Sequence, residues 1–251
     1  YYSFMYQNLF NLVDIKPENI NIPNGDLKPD KLRSSCITYE NKIKKLGGID
    51  LQILGIGRTG HIGFNEPGSH LNSQTRTITL DHLTRYDAIS AFQGIENVPR
   101  KAITMGIQSI LNAKRILLMA WGTNKAGIIQ KAVEGEISDK IPTTYLQNHK
   151  NTTLILDGEA SSELTRIKTP WLVGNCNWSD DNSLKAIVWL CKKVNKSILK
   201  LTDEDYNQNG MSDLLALSGS SYDINIEMFN RLQHSITGWP GGKPKSDDTN
   251  R

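Results

Sequence analysis

The apolar positions of this chain follow two rhythms. Short, mostly apolar runs at 51–56, 102–105, 115–121 and 152–157 have strand length and no helical spacing. Leu51-Gln-Ile-Leu-Gly-Ile56 suits a strand buried on both faces. Thr75 to Leu80 alternates, like a half-buried strand. Helical spacing fills the gaps. Pro29 to Leu46 places Pro in its first turn and Leu32, Ile37, Ile43 and Leu46 on a rough stripe, before Gly47-Gly48 ends it. His82 to Phe92, Gly106 to Leu111, Ala160 to Leu164 and the stretch from Gly122-Thr-Asn-Lys125 to Val133 also read as helical. Strands alternating with helices predict an α/β fold: a doubly wound, mostly parallel sheet with right-handed crossovers. Tyr1 to Val13, with Phe4, Leu9, Phe10 and Leu12, reads as a helix already under way.

The pattern changes after Val173. Trp178-Ser-Asp-Asp181 starts an amphipathic helix that carries Leu184, Ile187, Val188, Leu190 and Cys191 and runs to about Asn195. Thr202 to Leu217 and Asp223 to Ile236 are two more helical stretches, and Gly238 to Arg251 is rich in Gly, Pro and charge, like a linker. The expected organisation is an α/β domain over 1–174, a helical extension over 175–237 and a linker-like tail over 238–251.

Composition narrows the partners. A net charge of +3 over 251 residues does not argue for nucleic acid, and no motif for it occurs. No membrane-length apolar run or signal-like segment is present, so no membrane partner is expected. Cys36, Cys176 and Cys191 are odd in number and scattered, which reads as reduced thiols of a cytoplasmic protein rather than a disulfide frame or a zinc site.

The candidate chemistry sits after the first strand, in Gly55-Ile-Gly-Arg-Thr-Gly-His-Ile-Gly-Phe-Asn-Glu-Pro67. Glycine reaches backbone conformations closed to other residues and lets a ligand approach the main chain, so Gly57 and Gly60 are expected to contact substrate. Ligands of open α/β sheets bind just past the carboxyl ends of strands. His61 and Glu66 are the side chains in this loop suited to moving protons, because imidazole titrates near neutral pH and a carboxylate can hold its proton on one nitrogen. Lys125, at an expected helix start after a strand, would aim an ammonium and backbone N–H groups at one anion. The glycines form no dinucleotide fingerprint and no phosphate P-loop, so no cofactor is expected, and no metal site either. His70, His82, His149 and His234 lack a telling carboxylate and read as structural or surface residues, and Trp171 and Trp239 as packing residues.

This loop resembles the signature of the glucosamine-6-phosphate deaminase (NagB) family of amino-sugar isomerase/deaminases. The likeness continues through Leu71–Leu80, Val98–Gly106 and Trp121–Ala126 to about Thr169. It implies conversion of glucosamine 6-phosphate and water to fructose 6-phosphate and ammonium. It also implies His61 and Glu66 at ring opening and Lys125 on the phosphate. The expected class is a hydrolase of N-acetylglucosamine catabolism. The family's opening strands, its phosphate loop and the carboxylate that takes the C2 proton would precede Tyr1. Long bacterial relatives continue into a deacetylase-like domain, and a homo-oligomer is a further implication.

Three positions depart from the family. Its loop reads Gly-x-Gly-x-Asp-Gly-His, whereas Thr59 here offers a hydrogen bond without charge. A family phosphate arginine falls on or near Ser90, where Arg85 on the same helix has the wrong phase. The lysine that partners Arg76 at an allosteric site in some members is Ile78 here, so that regulation is not expected. The alternatives are a sugar-phosphate lactonase or isomerase of the same fold, disfavoured by Phe64-Asn-Glu-Pro67, and a catalytically weakened sugar-phosphate-binding module, favoured by Thr59 and Ser90.

Overall fold

The computed structural model of the chain describes residues 2–237, so the tail read at 238–251, with Trp239, lies outside them. The chain divides into two compact units between Glu163 and Leu164. The first contains α1 (Tyr2–Asn8), α2 (Pro29–Lys45), β1 (Leu51–Gly55), β2 (Arg76–Thr79), α3 (His82–Asp87), α4 (Ile89–Phe92), β3 (Lys101–Thr104), α5 (Ile107–Leu111), β4 (Arg115–Ala120), α6 (Ala126–Glu134) and β5 (Thr152–Leu156). Strands β1, β4 and β5 form a parallel sheet in the order β1-β4-β5, and Leu54, Leu118 and Leu154 are neighbours across it. Strands β2 and β3 form a separate antiparallel pair, with Thr77 opposite Ile103.

Burial departs from the sequence reading in β1. Leu54 and Ile56 are buried, but Leu51 and Ile53 are 47% and 54% exposed, so the strand is covered on one face rather than two. An apolar run alone does not say whether a layer lies on each side. The stretch read as one helix at 82–92 breaks at Ala88 into α3 and α4. Asp81 caps α3 by accepting from the Leu83 N–H at 2.8 Å. Ala160–Leu164 is a turn, not a helix. The Asp157 carboxylate accepts from the Ala160 N–H at 2.7 Å and from the Gly122 N–H at 3.0 Å, and the Ser161 and Ser162 N–H groups close single turns on the Asp157 and Glu159 carbonyls that no helix ladder continues.

A buried carboxylate binds three parts of this unit together. Glu40 Oε1, in the middle of α2, accepts from the Thr75 N–H at 2.8 Å, from the Thr75 hydroxyl and from the Ser109 hydroxyl of α5. Burial pushes its pKa up, but the hydrogen bonds from Ser109 and Thr75 outweigh that and hold it below the usual carboxylate value.

The second unit is helical: α7 (Thr165–Lys168), α8 (Asp180–Val194), α9 (Asp203–Gln208), α10 (Ser212–Ser218) and α11 (Ser221–Thr237). The Ser179 hydroxyl caps α8, and Thr202 with Asp205 makes a capping box on α9. The stretch read as a single helix over 202–217 breaks because Gly210 takes φ +76, a conformation that stops a right-handed helix. Trp171, Ile187, Leu190, Tyr206, Met211 and Ile224 form the core of this unit, so Trp171 is a packing residue. Among the described residues no helix is long and apolar enough to cross a membrane.

Candidate active site

The glycine loop leaves the carboxyl end of β1 and folds tightly. The Gly57 N–H donates to the His61 carbonyl at 3.0 Å, and the Gly60 N–H to the Gly57 carbonyl at 3.0 Å. The two glycines have different reasons. A Cβ built at Gly57 would lie 2.1 Å from His61 Cε1 and 2.2 Å from Nε2, so the imidazole occupies the space a side chain would take. Gly60 has φ +80, and a Cβ there would meet Ile141 at 2.5 Å. Both positions were read as points of substrate approach, and each is explained by packing inside the chain.

His61 and Glu66 come together. Their side chains are 15% and 13% exposed, and His61 Nδ1 lies 3.1 Å from Glu66 Oε2. The contact is an ion-pair distance, and Oε2 is buried with no directed hydrogen bond among the described residues. At 3.1 Å the imidazole nitrogen is within hydrogen-bond reach of that oxygen. Thr59 Oγ1 is 3.0 Å from the same Nδ1. Both close contacts run through Nδ1, so Nε2 is the nitrogen that can face a ligand. Sequence reasoning missed Thr84, whose hydroxyl donates to Glu66 Oε1 at 2.6 Å from α3. That bond fixes the carboxylate whose other oxygen faces the imidazole.

Lys125 closes the other side of the loop. A turn at Thr123–Lys125 leads into α6, and Lys125 Nζ donates to the Ile56 carbonyl at 2.8 Å, next to the glycine under the His61 ring. Burial lowers the Lys125 pKa, the Asp87 charge pulls it back up, and the Arg58 charge pushes it down. Arg58 reaches across to α3, with Nε donating to Asp87 Oδ2 at 3.0 Å and a second nitrogen ion-paired to Oδ1. Two charges missed in the sequence therefore flank the predicted lysine.

Behind the loop, Asn65 is fully buried. Its amide donates to the Ile62 carbonyl at 2.9 Å and to the Met105 carbonyl at 2.7 Å, and its oxygen accepts from Arg76 at 2.8 Å. Arg76 also donates to the Ser69 hydroxyl at 3.1 Å. Arg85 donates to the carbonyls of Ile95 and Val98 at 2.9 and 3.3 Å, which commits it to the loop after α4. Ser90 lies in α4.

A family model described as glucosamine-6-phosphate isomerases/6-phosphogluconolactonase matches residues 1–155. The chain belongs to this family. A glucosamine-6-phosphate deaminase-like protein of Bacteroides thetaiotaomicron is 53% identical over 250 residues, which is all of this chain and 38% of that protein. The glucosamine-6-phosphate deaminase of Clostridium novyi is 51% identical over 164 residues, 65% of this chain and 67% of its own length. A solved monomeric glucosamine-6-phosphate deaminase of the NagB superfamily superposes with a TM-score of 0.62 at 45% identity, covering 64% of this chain and 66% of the other. The chain thus has the NagB-like α/β fold, with a parallel sheet and flanking helices, and spans little more than a third of the Bacteroides relative.

The same relatives correct the hydrolase class. They are deaminases of an isomerase family. That grouping supports glucosamine-6-phosphate deamination within an isomerase family and does not support the hydrolase class. A small sugar phosphate is the substrate class consistent with the family.

Proposed function

We propose that this chain carries part of the site of a glucosamine-6-phosphate deaminase, which forms fructose 6-phosphate and ammonium in amino-sugar catabolism. The observation that carries the reading is one loop holding three groups. His61 lies on Gly57, Glu66 Oε2 is 3.1 Å from its Nδ1, and Lys125 Nζ is bonded at 2.8 Å to the carbonyl of the preceding residue, Ile56. In this reading Glu66 and Thr59 hold the proton on Nδ1. Nε2 then moves a proton at the ring oxygen during ring opening. Lys125 binds the phosphate, and because it is tied to the strand end, an anion held there fixes the distance from the sugar to His61.

The 51% identity to a deaminase and the Phe64-Asn-Glu-Pro67 sequence favour this over a lactonase. A cytoplasmic location, a homo-oligomer and a fused deacetylase-like domain belong to the same proposal. The length of the Bacteroides relative supports a longer full protein. The test is ammonium release from glucosamine 6-phosphate by the full-length protein. His61→Gln and Glu66→Gln are expected to lower it by at least about 100-fold. Turnover of 6-phosphogluconolactone without ammonium, or binding without turnover, would overturn the reading.

A further inference from the structure

A phosphomonoester carries close to two negative charges at neutral pH, and one partly buried ammonium is a poor match for it. Arg58 stands between the residue on which the His61 ring rests, Gly57, and the residue that contacts His61 Nδ1, Thr59. Its guanidinium is therefore carried by the loop that carries the imidazole, two residues from the carbonyl that holds Lys125 Nζ. One edge of the fork is spent on Asp87, through Nε at 3.0 Å and one terminal nitrogen. Guanidinium has more N–H donors than that carboxylate takes. Arg58 and Asp87 are 44% and 47% exposed, and a pair so open to water adds little to stability. Stability is thus a weak reason for an arginine in a loop made mostly of glycines.

We propose that Arg58 is a second phosphate ligand of the sugar-phosphate site, binding with the donors that Asp87 leaves unused and acting with Lys125. The inference rests on the sugar-phosphate reading above. Asp87 holds the plane of the fork, and its own charge is already matched by Arg58, so it does not repel the incoming anion at full strength. An anion held by both cations would present the sugar toward His61.

Inorganic phosphate is the first probe, titrated into the full-length protein by calorimetry. Arg58→Ala is expected to weaken it roughly 10- to 100-fold, as loss of a charge-assisted contact does. KM for glucosamine 6-phosphate rises by a similar factor and by more than kcat falls, whereas inhibition by unphosphorylated glucosamine does not move. Arg58→Lys restores part of the loss, because it returns the charge without the fork. If Arg58→Ala does not fold, Arg58→Gln, which keeps an amide to bond Asp87, takes its place. The proposal is overturned if phosphate affinity stays within about twofold of wild type while Lys125→Ala weakens it. Phosphate binding that needs Arg58 in a protein releasing no ammonium would sink the deaminase reading and keep this one. Ammonium release with phosphate affinity indifferent to Arg58 would do the reverse.

Discussion

Replacing Gly57 by alanine tests the site with one methyl group. The added Cβ would stand 2.1–2.4 Å from three atoms of the His61 ring. Ordinary carbon contacts are about 3.5 Å, so the ring must retreat by roughly 1 Å or more. The backbone at Gly57 does not need a positive φ, so alanine is strained there by the ring alone. The clash is with a side chain that can turn about its own bonds rather than with fixed backbone, which puts the stability cost near the low end of overpacking, about 1 kcal/mol. Its catalytic cost is larger. A reacting group misplaced by about 1 Å costs on the order of 100-fold. The retreat also breaks the 3.0 and 3.1 Å contacts from Nδ1 to Thr59 and Glu66. Gly57→Ala should therefore melt within a few degrees of wild type and release ammonium about 100-fold more slowly. Nitrogen-15 spectra should show the His61 tautomer losing its preference for a proton on Nδ1. A variant that keeps its rate within about threefold, under conditions where His61→Gln is dead, would refute the claim that the ring position governs the reaction.

Three further predictions follow from neighbouring contacts. Thr59→Asp, which puts a charge beside Nδ1, should raise turnover about 2- to 10-fold, because charge-assisted hydrogen bonds are roughly twice as strong as neutral ones; an unchanged or lower rate would show a site tuned to another substrate. Thr84→Val leaves Glu66 Oε1 without its 2.6 Å donor, and should cost about 1–3 kcal/mol in urea melts together with a drop in kcat. Glu40→Gln should cost about 1–3 kcal/mol at neutral pH. The folded-state pKa of Glu40 lies below its ordinary 4.5, so its contribution is present above that value and is lost as pH falls through the lower folded-state pKa. The gap between the melts of wild type and Glu40→Gln should accordingly narrow as pH is taken from 7 to below 4.5, and a gap that stays constant down to acid unfolding would refute the assignment.

What could be read from the sequence was whatever local pattern controls. The strand at 51–55, its glycine loop and the helix at 29–45 follow from runs, glycines and a first-turn proline within a few residues of one another. His61 and Glu66 stood out among the glycines of the loop and Lys125 at an expected helix start, and the resemblance to the deaminase family assigned their roles. Arg58 looked like one polar residue in a turn. Its partner is 29 residues away, and those of Glu66 on α3 and Glu40 at Thr75 are 18 and 35 away. No periodicity spans such gaps, so Asp87, Thr84 and Glu40 could not be tied to anything. The misread elements have equally local causes. The turn after Asp157 closes on backbone carbonyls without continuing into a ladder, and Gly210 breaks a run whose apolar spacing continues past it.

Helix α3 meets the loop at two points, Thr84 on Glu66 and Asp87 on Arg58, less than one turn apart. It works as a short yoke between the residue that steers a proton and a residue that answers to negative charge. A mutation that tilts the yoke toward a new ligand would drag the carboxylate with it. Substrate preference and turnover in this protein would then drift together over evolutionary time, and attempts to engineer one alone would keep disturbing the other.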